Sequence, residues 1–150
     1  VIYRVVLAVV LASALVAVAL PPLDDARRER AATVVTDQVE SIERTADALV
    51  STDEPTDGVG ARRVVTLRVP ARQWTSAGVE RVSFAPVGTG DHGRVSWRVH
   101  GGRTSSRSLS VPLTTADDEP LVLDEPGHHR LVLALAGRPG APVVVVRQLK

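Results

Sequence analysis

The sequence predicts an α+β fold: an apolar transmembrane helix, a proline kink, an amphipathic helix, then an antiparallel β-sheet or small sandwich of six or seven strands. Three observations carry this. The chain opens on an unbroken apolar segment, apolar residues then recur every three or four positions, and from Arg62 onward the apolar period drops to two. The chain has 150 residues, so the first two segments leave about a hundred for one modest core. The expected division is residues 1–20, transmembrane helix; 21–50, amphipathic stalk; 51–61, linker; and 62–150, β-domain.

The first element is "VVLAVVLASALVAVAL", residues 5–20. Val5, Leu7, Val10, Leu11, Leu15, Val18 and Leu20 fall on every side of a helix, and Ser13 is the one polar residue among them. A helix lying in a membrane surface would show a polar stripe instead. Residues 1–20 rise about 30 Å at about 1.5 Å per residue, which matches a hydrocarbon core of about 30 Å. A cleaved signal peptide is the alternative, with Arg4 as its basic start and Ala17-Val18-Ala19 as the cleavage site. Val1 stands where a Met would begin a chain, as a translated alternative start or a processed end would. The expectation is a retained single-pass helix, amino terminus cytoplasmic and β-domain outside, because Arg4 precedes the span. Ala8/Ala12 and Ser13/Ala17 have the small-xxx-small spacing that lets helices approach closely in lipid.

Pro21 and Pro22 mark the joint between the helices. Proline lacks an N–H and disfavours a helical residue before it, so a break or kink is expected at Leu20. A second helix can start at once, with Asp24 and Asp25 near its positive end. It should reach about Val50, where "STDEPTDGVG" stops it. Ala32, Val35, Val39, Ile42, Ala46 and Leu49 form a narrow apolar seam, flanked by the i,i+4 pair Glu40/Arg44. The seam packs either on the chain's own β-domain or on a neighbouring subunit.

Seven segments then read as strands: 62–69, 79–87, 93–100, 108–113, 120–125, 129–137 and 142–149. In the clearest, Val95, Trp97 and Val99 point one way and Arg94, Ser96, Arg98 and His100 the other. Pro112 implies an edge or a bulge in its strand. Short Gly/Pro-rich connections such as "HGGRTSS" and "GRPGAP" favour antiparallel neighbours, and without intervening helices parallel βαβ units are not expected. Residues 24–58 carry a net charge of −6 (ten acids, four arginines) and residues 62–107 a net of +7 (nine arginines, two acids). Such blocks point to complementary faces within one protein. Arg68, Arg94 and Arg98 are the candidate basic interaction face on the solvent side of the sheet.

Catalytic chemistry is missing. Without cysteine there is no disulfide, thiolate zinc site or cysteine nucleophile. His128 and His129 are neighbours that point to opposite faces of a strand, and a surface turn suits them better than a metal site. "TADDEP" and "LDEPG" lack the regular acid spacing of a calcium loop. "GTGDHG" has neither the Lys-Ser/Thr end nor the following helix of a phosphate loop, and no serine sits in a G-x-S-x-G context. No catalytic residue, metal, cofactor or small-molecule substrate is expected. Two Trp and one Phe offer little stacking beside the arginines, so nucleic acid is not an expected partner either. Acidic protein surfaces, anionic envelope polymers or the chain's own acidic helix suit the arginines better.

The order apolar helix, proline, polar amphipathic helix and β-domain resembles that of type IV pilins and pseudopilins. More specifically, "RVVLAVVLASALVAVALPPLDDAR", "RVVTLRVPARQWTSAGVERVSF" and "HRLVLALAGRPGAPVVVVRQLK" resemble an uncharacterised haloarchaeal family of membrane-anchored proteins. That resemblance implies association with secretion ATPase loci of archaellum-like and pilus-like systems. Its implied partners are the lipid bilayer and other pilin-like or secretion-system subunits. The glutamate of bacterial pilins near the mature start has no counterpart, since the first acid is Asp24. The expected function is therefore a non-catalytic, pilin-like accessory subunit. The alternatives are a monotopic extracytoplasmic binding module and a secreted protein.

Overall fold

The computed structural model of the chain describes residues 2–55, 60–86 and 92–149. One helix, α1 (Ile2–Thr52), precedes seven strands: β1 (Arg62–Val69), β2 (Val79–Ala85), β3 (His92–Val99), β4 (Thr104–Thr115), β5 (Leu121–Leu123), β6 (Gly127–Arg138) and β7 (Ala141–Leu149). Most of the expected turn "GTGDHG" and part of the 51–61 linker lie outside the described residues.

The proline pair does not divide α1: the helix runs through Pro21 and Pro22 without a break. Two adjacent prolines withhold donors from two successive carbonyls, those of Ala17 and Val18, within a single turn. Long helix on both sides carries the backbone across that gap. At about 1.5 Å per residue α1 is about 75 Å long, and its two halves live in different surroundings. Every described residue up to Ala26 is exposed. From Ala31 onward one stripe is buried: Ala31, Val35, Val39, Ile42, Ala46 and Leu49.

That stripe packs on the chain's own sheet, which settles the choice between own domain and neighbour. Helix and sheet residues form one core, with Leu67, Val69, Val82, Phe84, Val95, Trp97, Leu109, Leu113, Leu131 and Val144 among the sheet's contribution. The stripe begins at Ala31 rather than the expected Ala32, which is only half-buried. The reason is geometric. From 31 to 49 the five steps average 3.6 residues, the period of a straight helix, whereas starting at 32 assumes the shorter repeat of a supercoiled seam.

The sheet has the order β1-β6-β7-β4-β3-β2-β5. It is mixed, not wholly antiparallel: Leu113, Thr114 and Thr115 of β4 pair in parallel with Val144, Val145 and Val146 of β7. A parallel pair needs only a long connection, and here β5 and β6 supply it in place of a helix. Strand β4 serves two partners in succession. Its first part, Thr104–Ser108, runs antiparallel to β3, and its last three residues join β7. The register shifts between His92 and Arg94, opposite Pro112, so the bulge expected of that proline lies where β4 changes partner. Gly93 faces Leu113 so closely that no Cβ would fit.

The charge blocks meet where helix and sheet face each other. Arg107 lies across from Val95 on the helix-facing side and reaches Glu40 at 2.8 Å and Glu43 at 3.1 Å. Those contacts, the Glu40 hydrogen bond first and the Glu43 charge next, hold its guanidinium above the usual arginine range. Glu43 also accepts the Ser110 backbone N–H at 3.0 Å, and Asp47 the Ser110 hydroxyl at 2.7 Å. Arg63 adds a looser pair with Asp53 at 3.7 Å.

Candidate membrane anchor and the surfaces beside it

The first half of α1 is the most conspicuous surface of the molecule. It is long and apolar enough to cross a membrane, and none of the described residues covers it. Val5, Leu7, Val10, Leu11, Leu15, Val18 and Leu20 are each 51 to 76% exposed. Such a contiguous apolar surface is unstable in water and needs lipid or protein around it. Ser13 donates to the Val9 carbonyl at 2.8 Å, so the one polar side chain of the segment is satisfied inside the helix. Two shallow apolar depressions run along this half. Arg4, Val5, Ala8, Val9 and Ala12 line one, and Ala12, Ser13, Val16, Ala17 and Leu20 the other. They coincide with the small residues at small-xxx-small spacing.

The helix first meets the rest of the chain at Arg27. Its carbonyl accepts the Ala77 N–H at 3.3 Å, and its guanidinium lies 4.9 Å from the centre of the Trp74 ring. Asp24 holds the same guanidinium at 3.1 Å, and Asp25 pairs with Arg28 at 2.7 Å. The β1–β2 loop, the β3–β4 turn at Gly101 and this stretch of α1 enclose a polar cleft of about 390 Å³. Asp24, Arg27, Arg28, Arg72, Glu80 and His100 put charges of both signs into it.

The expected basic residues all lie on the solvent side of the sheet but do not form one cluster. Arg94 and Arg98 are exposed on β3, whereas Arg68 is on β1, with β6, β7 and β4 in between. Four strand spacings of about 4.8 Å put about 19 Å of sheet between them. The backbone of Arg68 has a separate role. Gln38 of α1 accepts its N–H and donates to its carbonyl at 3.1 Å, closing part of the open edge of β1. The residue that joins Arg98 is Arg81, its direct cross-strand partner on β2. Both are exposed, and they border a cleft of about 510 Å³ with Ser83, Ser96 and Thr104. Thr104 accepts the Arg98 Nε–H at 2.9 Å. Arg81 was hidden from periodicity because the register shift between Val79 and Arg81 disturbs the alternation of β2.

A family model described as a domain of unknown function, DUF7311, matches residues 2–149. The chain belongs to the DUF7311 family. The match runs through both halves of α1 and the whole sheet, so the family model covers the exposed apolar helix as well as the sheet. No curated protein and no solved structure matches it.

Among the described residues no group of three or more His, Cys, Asp or Glu side chains could hold a metal ion. The two adjacent histidines lie in strand β6 and not in a surface turn. His128 is exposed while His129 is buried, its Nε2 2.7 Å from the Glu125 carbonyl and its Nδ1 3.0 Å from the Gln148 amide. Gln148 can only donate through that nitrogen, so the hydrogen-bond network assigns the ring proton to Nε2. The ring is fully used in holding β6, β7 and the β5–β6 turn together.

Proposed function

We propose that this DUF7311 chain is a membrane-anchored, pilin-like structural subunit of an archaeal secretion or type IV pilus-like machine, with no catalytic role. One observation carries the reading: a single continuous helix whose apolar first half is fully exposed and whose second half is buried by its own sheet. A helix divided in this way leaves its apolar half available for two environments in turn, lipid and the packed helices of an assembly. The depressions at Ala8/Ala12 and Ser13/Ala17 favour the second, since small residues let helix backbones approach without a hydrophobic driving force. Arg4 ahead of the span supports a cytoplasmic amino terminus and an extracytoplasmic sheet.

The test is a cysteine at Ala12 in this cysteine-free chain, oxidised in native membranes. Disulfide-linked dimers, or links to a partner subunit, are the expected result. Monomers throughout would overturn the pilin-like reading. Val39 is unsuitable for such crosslinking because it lies inside the chain's own core.

A second reading, a monotopic binding module, is favoured by Arg81 and Arg98. Like charges directly opposite across two strands destabilise a sheet, and an acidic partner bound over them would relieve that cost. It predicts that Arg81→Ser with Arg98→Ser raises stability while abolishing capture of an acidic polymer such as polyglutamate by the detergent-purified chain.

A further inference from the structure

We propose that Trp74 is a second membrane contact, a side chain presented by the sheet to the headgroup layer of the same bilayer that α1 enters. The proposal rests on the reading of α1 as a membrane anchor. The two tryptophans have opposite surroundings: Trp97 is in the core at 6% exposure, whereas Trp74 is 82% exposed. An indole held in water is costly, and an interface that takes its ring and its N–H is where tryptophan concentrates in membrane proteins.

Its position is fixed by the fold. Trp74 stands at the tip of a tight turn closed by Gln73 and Ser76, whose backbones exchange hydrogen bonds of 2.9 and 3.2 Å. The loop is tied at its base by Val79 N–H to Pro70 O at 2.9 Å and by His100 N–H to Gly78 O at 3.2 Å. Gly78 takes φ +75°, where a Cβ would lie 2.5 Å from the Arg72 nitrogen, so the loop leaves no slack there. Ala77 then fastens it to α1 at the Arg27 carbonyl.

The height along α1 also fits. The Arg27 guanidinium, on which the indole rests, bonds to Asp24 and so lies one turn back toward the apolar half. Asp24 is four residues past Leu20, about 6 Å along the axis at about 1.5 Å per residue. The headgroup region on one side of a bilayer is about 5–8 Å deep, so the ring falls within it. Arg27 beside the ring and Asp24 paired with it, with Arg28 and Arg72 lining the neighbouring cleft, give this end of the molecule charges of both signs, which match a zwitterionic headgroup layer rather than hydrocarbon.

The 150-residue chain would be reconstituted in zwitterionic phosphatidylcholine vesicles and floated on a density gradient. Trp97→Phe leaves Trp74 as the one tryptophan and Trp74→Phe leaves Trp97, with excitation at the red edge of the indole band so that Tyr3 does not contribute. With Trp97→Phe, a nitroxide at the shallow end of the lipid chain should remove most of the emission and a deep nitroxide little of it. Trp74→Phe emission should respond to neither. If Trp97→Phe does not fold, the wild-type signal minus that of Trp74→Phe gives the same quantity. Trp74 emission that ignores both nitroxides overturns the proposal whether aqueous iodide reaches the ring, meaning open solvent, or not, meaning a protein partner. In floated vesicles that result leaves the anchor intact. A chain that fails to float overturns the anchor and the proposal together.

Discussion

Gln38 illustrates how a single polar side chain completes this fold. Its amide has one acceptor and two donor hydrogens, and it uses both kinds on the Arg68 backbone, much as a neighbouring strand would. Gln38→Ala should therefore cost about 1 kcal/mol, a typical net value for hydrogen bonding lost at a partly exposed site. Urea unfolding of the detergent-solubilised chain would measure it; an unchanged midpoint would mean that water serves the edge equally well. Arg107 acts through charge, bridging Glu40 and Glu43 in a geometry that a lysine cannot copy. Arg107→Lys should lower the thermal midpoint and Arg107→Ala should lower it further, both effects shrinking in high salt. Because its pKa is raised, the arginine's share of stability is complete at every pH below the arginine range and is lost only above it. Neither residue was legible beforehand. Periodicity reports which side chains face inward, whereas Gln38 is defined by a backbone thirty residues away. Arg107 was visible only as one member of a basic block opposite an acidic one.

At the scale of elements, the alternation of β1 was legible to the residue, because Val65, Leu67 and Val69 read directly as an inward face. The extent of β4 was not. Serines and threonines from 104 to 108 carry no apolar signal, yet they pair with β3 along its length. The parallel register of β4 with β7 was equally hidden, since it depends on contacts about thirty residues apart and on the bulge that frees β4 from β3. The seam of α1 was read with five of six positions correct, and its start differed because the helix packs on a sheet and stays straight. That difference has a direct consequence. Ala31→Leu should destabilise by about 1–3 kcal/mol through overpacking, whereas Ala32→Leu should be nearly neutral. Leu49→Ala, which empties a fully buried site, should cost about 2–5 kcal/mol. Denaturant midpoints would rank the three; equal effects at 31 and 32 would contradict the packing described.

For the whole molecule, the helix contributes six core residues, so the sheet is not an independent unit. A fragment comprising residues 24–150 should be a folded, soluble monomer, while 52–150 should fail to give a cooperative thermal transition. A well-folded 52–150 would mean that the sheet buries its own face without α1. The anchor half contributes nothing to that core and everything to placement. This division was legible in outline, from apolar length in one half and an apolar stripe in the other. What lay beyond reach was continuity through the prolines, because local rules score the missing donors and not the long helical segments on either side.

The central claim is that one helix is shared between lipid and its own sheet. Single cysteines placed at Leu7, Leu11, Val16, Asp37, Ser41 and Arg44 of the 150-residue chain, in sealed vesicles, would test it with a membrane-impermeant maleimide. In chains with the sheet outside, cysteines at 37, 41 and 44 should label readily, and those at 7, 11 and 16 should stay unlabelled until detergent is added. Labelling of the first three positions in intact vesicles, at rates like those of the last three, would contradict the account.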